Sequence, residues 1–251
     1  MDLLVCLKRV PMVGGRIGLL PSERQIDTAM LGFTVSPHEE CAVEEAVRSV
    51  ESQGGQVTVL TLGPPEAAEQ LRDAVAVGAS RCLLLEAGGK EWGPMATARA
   101  IAAAAEQAGP FDLILFGNEA ADTADFQVGV RVAHLLGRPV ATGIKSLSVE
   151  SGAVTARREY RGVEESFVLQ LPAVVSVKEG INLPRYPSLP GRMRAKKAVI
   201  ETLSPAYSEE GLSMERLVVP KVERRRAAVL GEGREAVGEL VDLLEQLGIL
   251  S

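Results

Sequence analysis

The residues best spaced for chemistry lie at 112–132, DLILFGNEAADTADFQVGVRV. An apolar run ends at Phe116-Gly117, a loop of small residues carries Asp122, Thr123 and Asp125, and a helix is expected to open near Asp125–Gln127. The free N–H groups of a helix start, reinforced by the helix dipole, hold anions without a charged side chain. Gly129, one turn in, leaves room for backbone or ligand to approach. The pattern therefore offers phosphate binding; its plainer reading is a β–α connection with an Asp as N-cap.

Catalytic sets are missing. The chain has two histidines, His38 and His134. His134 falls inside a helical pattern and reads as a surface or core-edge residue. His38 sits in the first turn of the helix after Ser36-Pro37, near the predicted ligand edge. There is no G-x-S-x-G elbow, no Ser/His/Asp order and no metal-ligand spacing, so no catalytic or metal-binding residue is assigned. The glycines of Val13-Gly14-Gly15-Arg16-Ile17-Gly18 lack the GK[ST] of a phosphate loop, and no GxGxxG joins a strand to a helix. Cys6, Cys41 and Cys82 are odd in number and widely spaced, as reduced core thiols are.

The elements that must position this loop are legible. Four apolar runs have strand length: 2–7, 57–62, 82–86 and 112–116. Runs without alternation suit strands buried on both faces of a parallel sheet. In 37–53, Ala42, Val43, Ala46, Val47 and Val50 repeat at helical spacing. Ser36-Pro37 supplies an N-cap and a first-turn proline, Glu39 completes a capping-box spacing, and Gly54-Gly55 stops the helix. Residues 65–77, 94–108 and 125–136 read as three more helices. This alternation predicts an α/β fold with a doubly wound, mostly parallel, Rossmann-like sheet. Ligands of such sheets sit beyond the strands' carboxyl ends, which points to the loops after 8, 63, 87 and 117.

Past residue 144 the period drops to two, with turn signals at Ser151-Gly152 and Arg161-Gly162. This predicts antiparallel strands added to the sheet edge, ending in the buried run AVVSV at 173–177. Residues 202–231 read as an extended polar arm. The last stretch, 233–250, is amphipathic, with Val237, Leu240, Val241, Leu244 and Leu247 on one stripe. The predicted division is a nucleotide-binding α/β domain at 1–201, including a loop at 177–199, and an arm and helix at 202–251 that fold back or dock on a partner.

A net charge of −6 argues against a general nucleic-acid binder, and no apolar run reaches the roughly 18–20 residues of a membrane span. The N-terminus, MDLLVCLKRV, enters a strand with no signal or transit pattern, so the chain reads as cytoplasmic and bacterial in type. Against this acidic background, 183–199 reads LPRYPSLPGRMRAKKAV. Arg185, Arg192, Arg194, Lys196 and Lys197 surround Leu189, which lies between Pro187 and Pro190. Prolines restrict the backbone, so this stretch reads as a stiff, basic loop with a leucine at its tip.

Taken together, AVEEAVR at 42–48, GNEAADTADFQVG at 117–129, LPAVVSV at 171–177 and PRYPSLPGRMRAKK at 184–197 resemble the beta (small) subunit of electron transfer flavoproteins. The resemblance runs through the whole chain and implies an adenine-nucleotide alpha-hydrolase-like version of this fold. It implies a heterodimer whose alpha subunit carries most of an FAD site, with AMP held structurally in this subunit. It also implies electrons taken from acyl-CoA dehydrogenases of fatty acid beta-oxidation and passed to a membrane quinone reductase, with no bond-making chemistry in this chain. The adenine side would comprise Cys6, Ser36, Pro37, His38, Glu39 and Leu62. The phosphate side would comprise Gly117, Asn118, Ala121, Asp122, Thr123, Ala124, Asp125, Phe126, Gln127 and Val128. Glu159, beside Arg158, would pair with an alpha-subunit arginine near the flavin. Tyr186, Leu189, Pro190, Met193, Arg194 and Lys197 would meet the dehydrogenase, with Leu189 as anchor.

The chain departs from the common family pattern in places. Ser36 replaces a frequent Asn, Glu39 a frequent Cys, Phe126 an Asn or small residue, and Val13 an aromatic near the first loop. An electron-bifurcating branch, which holds a second FAD in place of AMP, typically shows Asp-Gly-Asp-Thr-Ala-Gln-Val-Gly. The present chain keeps Gln127-Val128-Gly129 but lacks the internal glycine and carries the bulky Phe126. Two rivals share the sheet type. A stand-alone stress-type nucleotide-binding protein would show G-x-x-G-x(9)-G-[ST] near the last strand. An adenylate-forming or pyrophosphatase enzyme would show a Ser-Gly-Gly loop after strand one. Neither motif is present.

Overall fold

The structure, a computed structural model, describes residues 1–12, 17–209, 214–220 and 227–250. The readings placed on Val13 and on Gly14 to Arg16 lie outside these residues. Among the described residues, twelve strands and six α-helices follow in chain order: β1 (Asp2–Leu7), β2 (Val10–Pro11), β3 (Phe33–Thr34), α1 (Pro37–Gln53), β4 (Gln56–Gly63), α2 (Ala68–Val77), β5 (Arg81–Glu86), α3 (Pro94–Ala108), β6 (Leu113–Gly117), α4 (Val128–Leu135), β7 (Val140–Ile144), β8 (Ser146–Glu150), β9 (Ala153–Tyr160), β10 (Val163–Gln170), β11 (Ala173–Val177), α5 (Leu189–Lys197), β12 (Ile200–Leu203) and α6 (Ala236–Gln246).

Seven strands form one sheet in the order β12-β5-β4-β1-β6-β11-β7, and every neighbouring pair is parallel. The predicted α/β class is observed. Alternation in the strands decides the layers. Leu3, Val5 and Leu7 face one way, with Val57 and Val59, under α1 and α2. Leu4 and Cys6 face the other way, with Leu60 and Ile114, under α3 and α4. Both faces are therefore dry, which is why the strands show no polar alternation. The chain leaves β1 for β4 on one side, and β6 lies on the other. The switch point falls between the carboxyl ends of β1 and β6, where such sheets open a crevice.

Several details differ from the sequence reading. The antiparallel strands do not extend the main sheet; β8, β9 and β10 form a separate three-stranded sheet. Val154 and Ala156 of β9 pack into the α1/α2 layer, so this small sheet acts as a cover. The AVVSV run is β11, which sits inside the parallel sheet between β6 and β7. Residues 200–203, at the junction with the predicted arm, are β12, parallel to β5 at the opposite edge.

The basic stretch is not all loop either. Ser188 caps α5 by accepting the Gly191 N–H at 3.1 Å, and Leu189 is the first helical residue. Gly191 and Ala195 are buried, and a Cβ on Gly191 would meet the Ala76 carbonyl at the end of α2. Arg194, Lys196 and Lys197 lie in the last turn, where cations suit the helix dipole.

Met1–Glu215 form one compact unit and Arg216–Ser251 a second. In the second unit a short 3-10 turn, Gly233–Glu235, leads into α6, which carries Val237, Leu240, Val241 and Leu244; Leu247 is its C-cap. Among the described residues no helix is long and apolar enough to cross a membrane.

Candidate functional site

A cleft of about 410 Å³ opens at the switch point. Its floor is the strand ends: Cys6 and Leu7 of β1, Leu62 of β4, Phe116 and Gly117 of β6 and Ser176 of β11. One wall is the 117–128 loop with the start of α4, and another is Trp92 with Thr97 and Ile101 of α3. The volume lies in the lower range of small-molecule pockets.

The α4 start differs from expectation. The helix begins at Val128, and Asp125 is not its N-cap; Gln127 holds that position, and its side chain accepts from Arg131 and makes no capping bond. Ahead of it, Ala124 (φ 48°) and Phe126 (φ 54°) are left-handed without being glycines. Such backbone costs roughly 1–3 kcal/mol per residue and persists where surroundings over-determine it. Phe126 is 52% exposed and lines the cleft. Gly129 is buried, and a Cβ there would lie 2.9 Å from Ser176 Oγ and 3.2 Å from the Phe116 ring. Its smallness serves the packing of α4 on β6 and β11, and the residue also lines the cleft.

Glu39 is the most unusual group. It lies at the third position of α1 and is 6% exposed. One carboxyl oxygen accepts the Ser36 N–H at 3.0 Å, the reciprocal half of the capping box read from the sequence, and the other accepts the Lys8 N–H at 3.0 Å. Burial pushes this carboxyl up to about 8, although the hydrogen bonds from Ser36 and Lys8 pull the other way. Burial likewise raises the neighbouring Cys6 thiol, and Glu39 adds to the effect. The Ser36 hydroxyl donates to the Glu119 carbonyl at 3.2 Å, pinning α1 to the β6–α4 loop. Gly117 makes this close packing feasible, because a Cβ there would fall 2.7 Å from Glu39 Cγ.

Lys8 supplies the cation on the other side. Its Nζ lies 2.8 Å from Asp122 Oδ1 and 3.4 Å from Thr123 Oγ1. His38 Nε2 is 3.6 Å from Glu119 Oε1, while Nδ1 is buried with no hydrogen-bond partner. Burial lowers the His38 value below the usual imidazole range despite the nearby Glu119.

Of the residues expected around the nucleotide, Cys6, Glu39, Leu62, Gly117, Asn118, Thr123, Asp125, Phe126, Gln127 and Val128 line the cleft. Ser36, His38 and Asp122 stand behind it through their contacts with Glu39, Glu119 and Lys8. Pro37, Ala121 and Ala124 are exposed and are not among the lining residues. Glu159 is exposed on β9 opposite Glu164, away from the lining set, while Arg158 beside it bonds Glu165 at 2.6 Å.

The sequence reading does not pick out Lys8, Trp92, Ile101 or Met214, which also line the cleft. Trp92 had a signal, since it follows β5 in one of the indicated loops. Its indole donates to the Ala87 carbonyl at 2.8 Å and meets Tyr207 edge-on at 5.1 Å. Met214 had none, because a distant segment returns to the β5–α3 loop, where its N–H donates to Glu91 Oε1 at 3.2 Å.

The expected docking residues form an outer surface. Tyr186 is 95%, Leu189 75% and Met193 57% exposed, and Pro190, Arg194 and Lys197 are exposed beside them. Arg185, counted among the flanking cations, is paired within the chain, with Glu44 at 2.9 Å and Glu51 at 2.6 Å on α1. Asn182 adds bonds to the Cys41 carbonyl and to Glu45. Among the described residues no cluster of three or more His, Cys, Asp or Glu side chains could hold a metal ion.

Comparison with known proteins gives one consistent picture. The family model for the electron transfer flavoprotein domain matches residues 25–208. A protein of Bacillus subtilis (strain 168) named electron transfer flavoprotein subunit beta is 35% identical over 254 residues, covering 97% of each chain. The human protein of that name is 34% identical over 249 residues, covering 98% of this chain and 97% of its own. One from Bradyrhizobium diazoefficiens is 34% identical over 253 residues and covers all of both.

Proposed function

The chain belongs to the electron transfer flavoprotein family, and from that membership we propose that it is the beta subunit of a heterodimer that holds AMP in the switch-point cleft. The uncapped start of α4, facing a small cleft at the strand ends, carries the reading. The N–H groups of that first turn would take the phosphate, with Lys8 as the nearby cation. Leu62, Ile101 and Phe116 would enclose the base with apolar surface. The left-handed, cleft-lining Phe126 takes up space on the phosphate side and favours a mononucleotide over a second FAD.

FAD, held mainly by the alpha subunit, would supply the electron-carrying chemistry. The present chain would complete its surroundings, with Glu159 as the contact toward the flavin, and would make or break no bond itself. The α/β domain would carry the docking surface, and the segment from 202, with α6, would bind the alpha subunit. Leu189 would enter an apolar pocket on an acyl-CoA dehydrogenase, whose electrons would pass on to a membrane quinone reductase. The subunit would work in the cytoplasm. One apolar anchor on a rigid support can dominate a small interface. The support here is α5, seated on α2 through Gly191.

The test is to co-purify the chain with its alpha partner, denature the complex and identify what is released. One FAD and one AMP per heterodimer are expected. Two flavins and no AMP would replace this reading with the bifurcating one.

A further inference from the structure

We propose that the Glu39 carboxyl hydrogen-bonds the base edge of the bound nucleotide, giving one hydrogen bond and accepting another; this rests on the AMP reading of the cleft. Three observations carry it. Glu39 lines the cleft at the switch point, between Lys8 at the end of β1 and Gly117 at the end of β6. It is a chemically demanding residue for a dry site, 6% exposed. And its internal partners do not exhaust it: each oxygen accepts one backbone N–H, from Ser36 or Lys8, and the Ser36 hydroxyl, which donates to the Glu119 carbonyl, adds a further interaction. The two oxygens together have about four acceptor directions, so the carboxyl keeps hydrogen-bonding capacity beyond these partners.

A buried carboxyl must be paired with a cation or neutralised. The nearest cation, the Lys8 ammonium, is turned to Asp122 at 2.8 Å. A proton on Glu39 therefore resolves the burial, in keeping with the upward push on its titration. The neutral acid then offers an O–H donor beside a carbonyl acceptor. The edge of adenine that carries the 6-amino group is the mirror of that pair, a ring-nitrogen acceptor beside an N–H donor. An ionised Glu39 would present two acceptors, set one against the ring nitrogen and lose half of the match. A site built around polar partners discriminates strongly when one is left unmatched.

The charged and titratable groups around Glu39 leave a clean window for a test. β1 brings Cys6 and Lys8, α1 brings His38 and Glu40, and the β6–α4 loop brings Glu119 and Asp122. His38 is lowered by burial and is neutral above its ordinary 6.5. The second phosphate ionisation, near pH 6, is about nine-tenths complete by pH 7, and its remainder would tighten binding as pH rises, opposite to the change expected from Glu39.

The experiment is calorimetric titration of the nucleotide-free full chain with AMP at pH 7, 8 and 9. A group titrating near 8 loses about nine-tenths of its neutral form across that range, so the AMP Kd is expected to rise about tenfold. Purine riboside monophosphate, which lacks the 6-amino donor, should bind at least tenfold more weakly than AMP at pH 7. Glu39→Gln keeps one donor and one acceptor without a proton to lose, so its AMP affinity should be flat with pH. AMP binding that is flat from pH 7 to 9 in the unaltered chain, or purine riboside monophosphate binding as well as AMP, overturns the base-reading role while leaving the cleft a nucleotide site. No AMP binding at any pH overturns this role and the AMP reading together.

Discussion

Arg185 and Glu44, 141 residues apart in sequence, hold each other through guanidinium–carboxylate contacts of 2.9 and 3.2 Å. Glu44 is buried on α1 and also accepts from Arg48 at 2.5 Å. Arg185 reaches on to Glu51 and is anchored at both ends of its guanidinium. The segment carrying Tyr186 and Leu189 is thereby fastened to the main domain. Burial alone would raise the Glu44 carboxyl, but hydrogen bonds from Arg185 and Arg48 outweigh it and hold it below the usual range.

Breaking this pair should loosen the segment that carries Leu189, proposed above to dock. Glu44→Gln is expected to cost about 2 kcal/mol in urea unfolding, because it strips the buried partner from two cations. The contribution of a depressed carboxylate is present above its unfolded value of 4.5 and is lost as pH falls through the lower folded value. The variant should therefore lose part of the acid sensitivity of the parent between pH 5 and 3. A parent and variant with the same acid profile would exclude this role.

Leu189→Ala should separate docking from folding. The side chain is 75% exposed, so unfolding free energy should change by less than about 0.5 kcal/mol. Electron transfer from the donor dehydrogenase, followed by flavin absorbance in stopped flow, should slow at least tenfold. Unchanged transfer kinetics would remove Leu189 as the anchor.

Gly191→Ala tests the support and not the anchor. The added methyl meets the Ala76 carbonyl, so α5 must lift from α2. A cost of about 1–3 kcal/mol is expected in thermal unfolding, together with weaker docking although every exposed side chain remains. Full stability in this variant would show that α5 adjusts freely.

Glu39 should make the free chain less stable as the solution turns alkaline. Its folded value is raised by burial to about 8 from an ordinary 4.5. Its contribution is complete below 4.5 and drains away as pH rises to about 8, then levels off. Chemical unfolding at pH 5, 7 and 9 should show this decline in the parent and not in Glu39→Gln. A decline of equal size in both would assign it to other groups.

Saturating AMP at 100 times its Kd should stabilise the chain by about 2.7 kcal/mol. Gly117→Ala should abolish most of that gain, because its methyl pushes on Glu39 and on the His38 Cβ at the start of α1. A variant stabilised by AMP as well as the parent would show that α1 and β6 can part without harming the cleft.

Much of this was legible in sequence because it is local. Unbroken apolar runs such as Leu3 to Leu7 specify strands dry on both faces, and the Ser36-Pro37 start of α1 was readable from capping chemistry. The strand-end rule then directed attention to the loop after Gly117. Local signals failed where another part of the molecule overrides them. The acidic loop read as a helix start near Asp125–Gln127 with an Asp as N-cap in its plainer reading; left-handed Ala124 and Phe126 put the N-cap at Gln127, the far end of that range. Alternating strands looked like a sheet edge, yet Val154 and Ala156 turn them into a cover over one helical layer.

By itself the sequence determined the α/β class, the family and the end of the sheet where a ligand would sit, since periodicity and capping act over a few residues. Only the tertiary structure decided that Glu39 is a buried acid shared by Ser36 and Lys8, that Arg185 is paired to α1, and that Met214 returns to wall the cleft. Each depends on burial or on contact between distant segments. Free energies of that kind arise from desolvation and close packing, which no short stretch of chain encodes alone.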